Sequence, residues 1–175
     1  DFREYPIFLN DGKGQIFKPY EDRFDYSEFK SGKLAKLELF QLSSLDGENG
    51  AVGWVAHHDY QGAIPKSAGV GGLRARVGNL QIGERNVFVD VFPEERFNSW
   101  TIGEVHTFDR RLVPNGRRDG FEHGNHLTNL KSQLLPVGHA IAQHCRRESS
   151  IRNQSKRVEL ALMHAEAIGE MLDQN

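Results

Sequence analysis

At about Leu127 the apolar residues change their step. Leu127, Leu130, Leu134, Val137 and Ile141 recur every three or four positions, whereas much of the upstream sequence alternates at a period of two. The first pattern suits a helix with one buried stripe, the second a strand with one buried face. Together they predict an α+β chain: several strands in one mixed sheet, helices packed on one face, and a helical C-terminal extension.

The strand half divides at its turns. Tyr5 to Phe8 and Gln15 to Phe17 flank Asn10-Asp11-Gly12-Lys13-Gly14, a hairpin pattern in which Asp11 to Gly14 is a turn, because no phosphate-cradling helix pattern follows. Tyr20 to Phe29 is acidic and aromatic and reads as a short helix or an irregular loop. Lys33 to Leu42 fits a strand or one helical face; the turn cluster Asp46 to Gly50 and the clear strand Ala51 to His57 favour the strand. Gln61 to Gly72 reads as a mobile loop. Leu73, Ala75 and Val77 then alternate with Arg74 and Arg76, and Gly78 stands at a parity switch that predicts a bulge or sharp bend. Asn86 to Phe92 is expected as a short helix ended by Pro93, and Phe97 to Phe108 as the last strand. Pro136 predicts a kink or a break in the helix. Arg146 to Gln154 is polar and basic, in the manner of a hinge. Val158, Leu162, Ala165, Ile168 and Leu172 resume an apolar stripe that would pack on its own core or on another copy. We place the domain boundary between 1–148 and the helical piece 149–175.

The 175 residues suffice for one domain with a core, and the 38% hydrophobic content argues against disorder. Net charge is −2, which gives no support to general polyanion binding, but the cations are clustered at Arg110, Arg111, Arg117 and Arg118 and again from Arg146 to Arg157. The single cysteine, Cys145, excludes an internal disulfide, fits a reducing, cytoplasmic compartment, and sits beside the apolar stripe as a packed thiol. No apolar run approaches the ~18 residues of a membrane span. The chain begins at Asp1 in mid-pattern, as a piece cut from something longer or a proteolytically matured chain would.

Eight histidines make poor metal ligands here. His57 and His58 point to opposite faces of a strand, His123 and His126, three apart, could share a helix face, and His139 and His144 are awkwardly five apart; with one cysteine and no compact pair of ligand pairs, a structural zinc site is not expected. His106, Pro114, Asn125 or Asn129, and His139 follow the order of a His-Asn-His nuclease at loose spacing, with Val105 where that family carries an acidic residue or histidine. No nucleophile elbow or phosphate loop is present.

The functional signal lies in Leu112-Val113-Pro114-Asn115-Gly116-Arg117-Arg118-Asp119, between a strand and the long helix. Adjacent guanidinium groups on a turn serve a core badly and meet a phosphate well. The order of features from Gly53 onward, with Leu73-Arg74-Ala75-Arg76-Val77, Gly103-Glu104-Val105 and this turn, resembles the middle domain of the ninety-kilodalton heat-shock chaperone family, within the ATPase superfamily that includes MutL and gyrase B. The resemblance covers roughly residues 50 to 150. It implies a mixed-sheet transducer domain that supplies Arg118, beside Arg117, to the γ-phosphate of ATP. The ATP and its Mg²⁺ would be bound by an upstream domain of the same protein. Asn115 would brace the turn, and Glu122 stands where the family carries a glutamine, opposing phosphate unless Arg117 or a cation offsets it. Client or partner proteins and a homodimer in the full-length protein follow from the same resemblance. Arg74, Arg76 and the 61–72 loop are candidate interaction surfaces. The superfamily's adenine-binding Asp, Mg²⁺-binding Asn and glycine-rich lid are absent in suitable context, so this piece alone is expected neither to bind nor to hydrolyse ATP appreciably. The alternative is a non-catalytic module that binds protein or nucleic acid through the arginine turn and the basic 146–157 segment.

Overall fold

The computed structural model describes residues 7–9, 14–16, 20–28 and 30–173, with side chains at residue 8 and across 20–28 and 30–168. β1 (Ile7–Leu9) pairs antiparallel with β2 (Gly14–Ile16) as the expected hairpin; its turn residues 10–13 lie outside the described residues. The main sheet has six strands: β3 (Arg23–Ser27), β4 (Lys30–Ser43), β5 (Asn49–His58), β6 (Gly72–Val77), β7 (Leu80–Ile82) and β8 (Ile102–Thr107). Their order is β3-β4-β5-β8-β6-β7, all pairs antiparallel except β6 with β8. β8 lies between β5 and β6, so both of its edges are paired, and with a core on each face all six of its residues are buried.

The helix α1 (Asn125–Asp173) crosses one face. Leu127, Leu130, Leu134, Ile141, Ala142 and Cys145 share a core with Ala51, Val55, Leu73, Ala75 and Val105 from the sheet. Gly138 permits the approach: a Cβ there would lie 2.3 Å from the Val91 carbonyl oxygen. The opposite face carries a smaller core of Ala56, Ile64, Val70 and Ile102, packed by Phe24, Tyr26, Leu34 and Trp54. The α+β architecture, the Lys33–Leu42 and Ala51–His57 strands and the helix start at Asn125 are as the sequence predicts.

Several local expectations are corrected. Within Tyr20 to Phe29, whose last residue lies outside the described residues, Arg23–Ser27 is strand β3, because Phe24 and Tyr26 turn inward while Arg23 and Asp25 face solvent. The Phe97–Phe108 strand begins only at Ile102, and Glu95–Trp100 is a 3-10 helix. Buried Asn98 holds that segment, accepting the Leu73 N–H (2.9 Å) and donating to the Arg85 carbonyl (2.7 Å). The Asn86–Phe92 helix shrinks to a 3-10 turn at Val89–Val91. Gly78, by contrast, makes the sharp bend that the parity switch predicts, a tight hairpin turn at φ +58° between Val77 and Leu80. The 61–72 loop is anchored rather than wholly exposed: Ile64 and Val70 are buried, and Lys66–Ala68 forms a 3-10 turn.

α1 runs unbroken through Pro136 and through the expected 146–154 hinge. A proline inside a helix costs about 3 kcal/mol, and packing of buried Leu134 and half-buried Val137 offsets it. Among its described side chains the last buried one is Cys145, and Arg152 still donates to the Asp59 carbonyl (3.2 Å); the side chain of Leu172 lies outside the described residues. Every described side chain from 153 to 168 is exposed, so Val158, Leu162, Ala165 and Ile168 do not pack on the domain's own core.

Candidate functional site

The arginine turn hangs between two buried anchors, Leu112 and Phe121. Pro114 and Phe121 form an antiparallel bridge; the Asn115 N–H donates to the Gly120 carbonyl (3.0 Å) and the Glu122 N–H to that of Val113 (2.8 Å). The Arg118 N–H closes the turn on the Asn115 carbonyl at 2.9 Å. Asn115 braces it twice more, its Nδ2 donating to Asp119 Oδ1 (2.6 Å) and its Oδ1 accepting the Asp119 N–H (3.2 Å). The turn is also fixed to the body, because the Gly83 N–H donates to the Arg118 carbonyl at 2.7 Å. Only glycine suits position 83: its φ is +60° and a Cβ would lie 2.4 Å from the Asp119 carbonyl oxygen.

Arg118 itself sits at φ +57°. That left-handed region costs a non-glycine residue roughly 1–2 kcal/mol, and the surrounding hydrogen bonds hold it there. Arg117 and Arg118 are exposed, and among the described residues neither has a carboxylate within ion-pair distance. Asp119, the nearest acid in sequence, is engaged by Asn115 instead. Glu122 is also exposed and forms no ion pair with Arg117 among the described residues. Arg111 is committed elsewhere, to Asp46 at 2.8 Å. Just upstream, Asp109 takes the Arg111 N–H (2.9 Å) and pairs with His126 Nδ1 (2.6 Å), tying the start of α1 to the strand end. Burial opposes ionisation of Asp109, but these partners outweigh it and its pKa lies below the ordinary carboxylate value.

A second polar cluster lies on the sheet face away from α1. Glu104 on β8, 1% exposed, accepts from the Arg76 Nε–H on β6, from the Tyr20 hydroxyl (2.9 Å), and pairs with His106 Nε2 (2.9 Å). Arg76 is therefore a buried ion-pair partner rather than part of a basic interaction face, and Arg74 is half-buried against the Gly71 carbonyl and Gln81. With both carboxylate oxygens engaged, Glu104 serves as a charge-neutral staple across the sheet. The sequence signal was a lone acid inside an apolar strand; its partners, 28 and 84 residues away, carried none.

His57 and His58 are tied into the fold by hydrogen bonds. His57 bridges Glu38 (3.0 Å) and the Tyr60 hydroxyl (2.7 Å). His58 accepts the Tyr60 N–H at Nδ1 (3.0 Å), which puts its proton on Nε2, facing the Trp100 carbonyl at 2.8 Å. Burial lowers the His58 pKa. No group of three or more His, Cys, Asp or Glu among the described residues could hold a metal ion. The nuclease order also fails in space: His106 alternates with Val105, which packs against α1, so the sheet separates His106 from His139 on that helix. Cys145 is packed as expected, and burial pushes its thiol up to about 12. No helix among the described residues is long and apolar enough to cross a membrane.

No family model matches the chain, and no curated protein matches it. Among solved structures it is distantly similar to the B-subunit of the DNA gyrase from Myxococcus xanthus, at 11% identity and a TM-score of 0.37. That alignment takes in 60% of this chain and 34% of that one.

Proposed function

We propose that this chain is the middle, or transducer, domain of a chaperone-like ATPase of the ninety-kilodalton heat-shock kind, acting in the cytoplasm. In this reading Arg118 reaches the γ-phosphate of ATP, held with Mg²⁺ in an upstream domain of the same protein. The observation that carries it is a guanidinium displayed on a braced, anchored turn without a carboxylate partner among the described residues. Phosphoryl transfer depends mainly on positioning and charge stabilisation. A rigid backbone holds the group in place before the phosphate arrives, and a solvated arginine has no internal ion pair to break. Arg117 adds a second positive charge beside it, and exposed Glu122 tempers the field. Asn115 is a positioning residue, acting through the turn. Closure of the upstream domain onto the turn would couple nucleotide state to client or partner binding and to dimer contacts in the longer protein. The test compares Arg117→Ala with Arg118→Ala in the protein that carries the ATP-binding domain. Arg118→Ala is expected to cause the larger loss of turnover; equal, wild-type rates in both variants would overturn the assignment.

A further inference from the structure

We infer that a cleft between α1 and the Glu95–Trp100 segment binds a nucleotide unit, through its phosphate and its base. The cleft, of about 380 Å³, is lined by Arg96, Arg146 and Arg157, with Trp100 and Asn153 among the remaining walls. It contains neither Arg117 nor Arg118, and so is separate from the turn.

Three observations set the ligand's chemistry. The charged side chains on its walls are all arginines. Arg146, Asn153 and Arg157 fall at positions i, i+7 and i+11 of α1, so they share one helix face. Residues three and four positions from Arg157 are Asn153, Gln154, Leu160 and Ala161, none of them acidic, and no ion pair of Arg157 occurs among the described residues. The other two arginines are held in place. Arg96 and Arg146 lie over the Phe97 ring, 4.9 and 5.3 Å from its centroid, and Glu94, which is not a wall of the cleft, grips both at 2.6 Å. Arginine forks of this kind suit phosphate oxygens. The half-buried Trp100 ring, set edge-on to buried Phe97, supplies a flat apolar surface for a base.

A free nucleotide and a nucleotide within single-stranded nucleic acid present the same chemistry. The experiment titrates the chain with adenosine monophosphate, a labelled twelve-residue oligothymidylate and inorganic phosphate, by calorimetry and fluorescence anisotropy. Saturable binding of the monophosphate or the oligonucleotide, tighter than inorganic phosphate, is expected. A much tighter oligonucleotide identifies a polynucleotide source, and comparable affinities a free nucleotide. Arg157, the wall arginine without an ion pair among the described residues, meets the one phosphate of the unit, which predicts that oligonucleotide affinity falls roughly 2–3-fold between 50 and 200 mM salt. Arg157→Glu, at an exposed helix position, is expected to weaken binding at least tenfold, and Trp100→Leu about tenfold. Arg110→Glu, an identical charge change outside the cleft, leaves it at the wild-type value. Absence of binding at millimolar probe, inorganic phosphate binding as tightly as nucleotide, no effect of Arg157→Glu, or an equal loss in Arg110→Glu would each overturn the inference.

Discussion

Replacing Arg118 by glycine separates a functional side chain from a structural one. The residue holds φ +57° and its guanidinium has no ion-pair partner among the described residues. Relief of the left-handed penalty is worth about 1–2 kcal/mol, and the added freedom of glycine in the unfolded chain returns about 0.5–1. The net expectation is a stabilisation of about 0.5–1 kcal/mol, or a rise in Tm of roughly 1–4 °C for a chain of this size. Arg118→Ala keeps the Cβ and its strain, so its stability should stay within about 0.5 kcal/mol of wild type. Urea unfolding followed by far-ultraviolet circular dichroism measures both, the slope being unchanged if only stability shifts. A loss greater than about 1 kcal/mol in either variant would mean that the guanidinium holds the fold together, and the argument for a group displayed to an outside partner would fail.

Other consequences are equally open to measurement. Glu104→Leu strands Arg76 in the sheet and should cost about 3–5 kcal/mol in urea unfolding, with Arg76→Met in the same chain restoring much of it; a loss below 1 kcal/mol would contradict the staple. Gly83→Ala meets both a positive φ and the Asp119 carbonyl at 2.4 Å, so a loss of about 1–3 kcal/mol is expected, and a neutral outcome would show that the turn is not fixed to the body there. His58 is held neutral by burial, its folded pKa below the unfolded value. The unfolded state therefore binds more protons just below the ordinary histidine value of about 6.5, and the His58 contribution is present above that pH and lost as pH falls toward the folded pKa. Tm should accordingly drop between pH 7.5 and 5.5, and His58→Gln should flatten that slope; an unaltered slope would rule out His58 as its source.

The parts of the fold that were legible in the sequence are those written in one periodicity. Ala51 to His57 and Leu73 to Val77 alternate cleanly and are strands, and the steps from Leu127 to Ile141 mark the buried stripe of α1. β3 was hidden because the acidic residues around Phe24 and Tyr26, Glu21, Asp22, Asp25 and Glu28, mask an alternation that only the second core reveals. Trp100 reads as strand because it and Ile102 stand two apart, yet Asn98 bonds to Leu73 and Arg85 and winds the segment into a 3-10 helix. Local chemistry did disclose the brace of the arginine turn, since Asn115 and Asp119 bond over four residues. It could not disclose that Arg76 is consumed by Glu104, or that Arg96 and Arg157, 61 positions apart, border one cleft, because those pairings depend on the packing of the whole chain.

In the proposed function Arg118 acts on phosphate bound outside this chain. The most direct test of that role is nucleotide affinity and steady-state turnover, measured together, for Arg118→Ala and wild type in the longer protein. The account predicts turnover lower by on the order of 10³-fold, the lower end of what an arginine supplied from outside the nucleotide site contributes, with ATP affinity nearly unchanged. Undiminished turnover would contradict it.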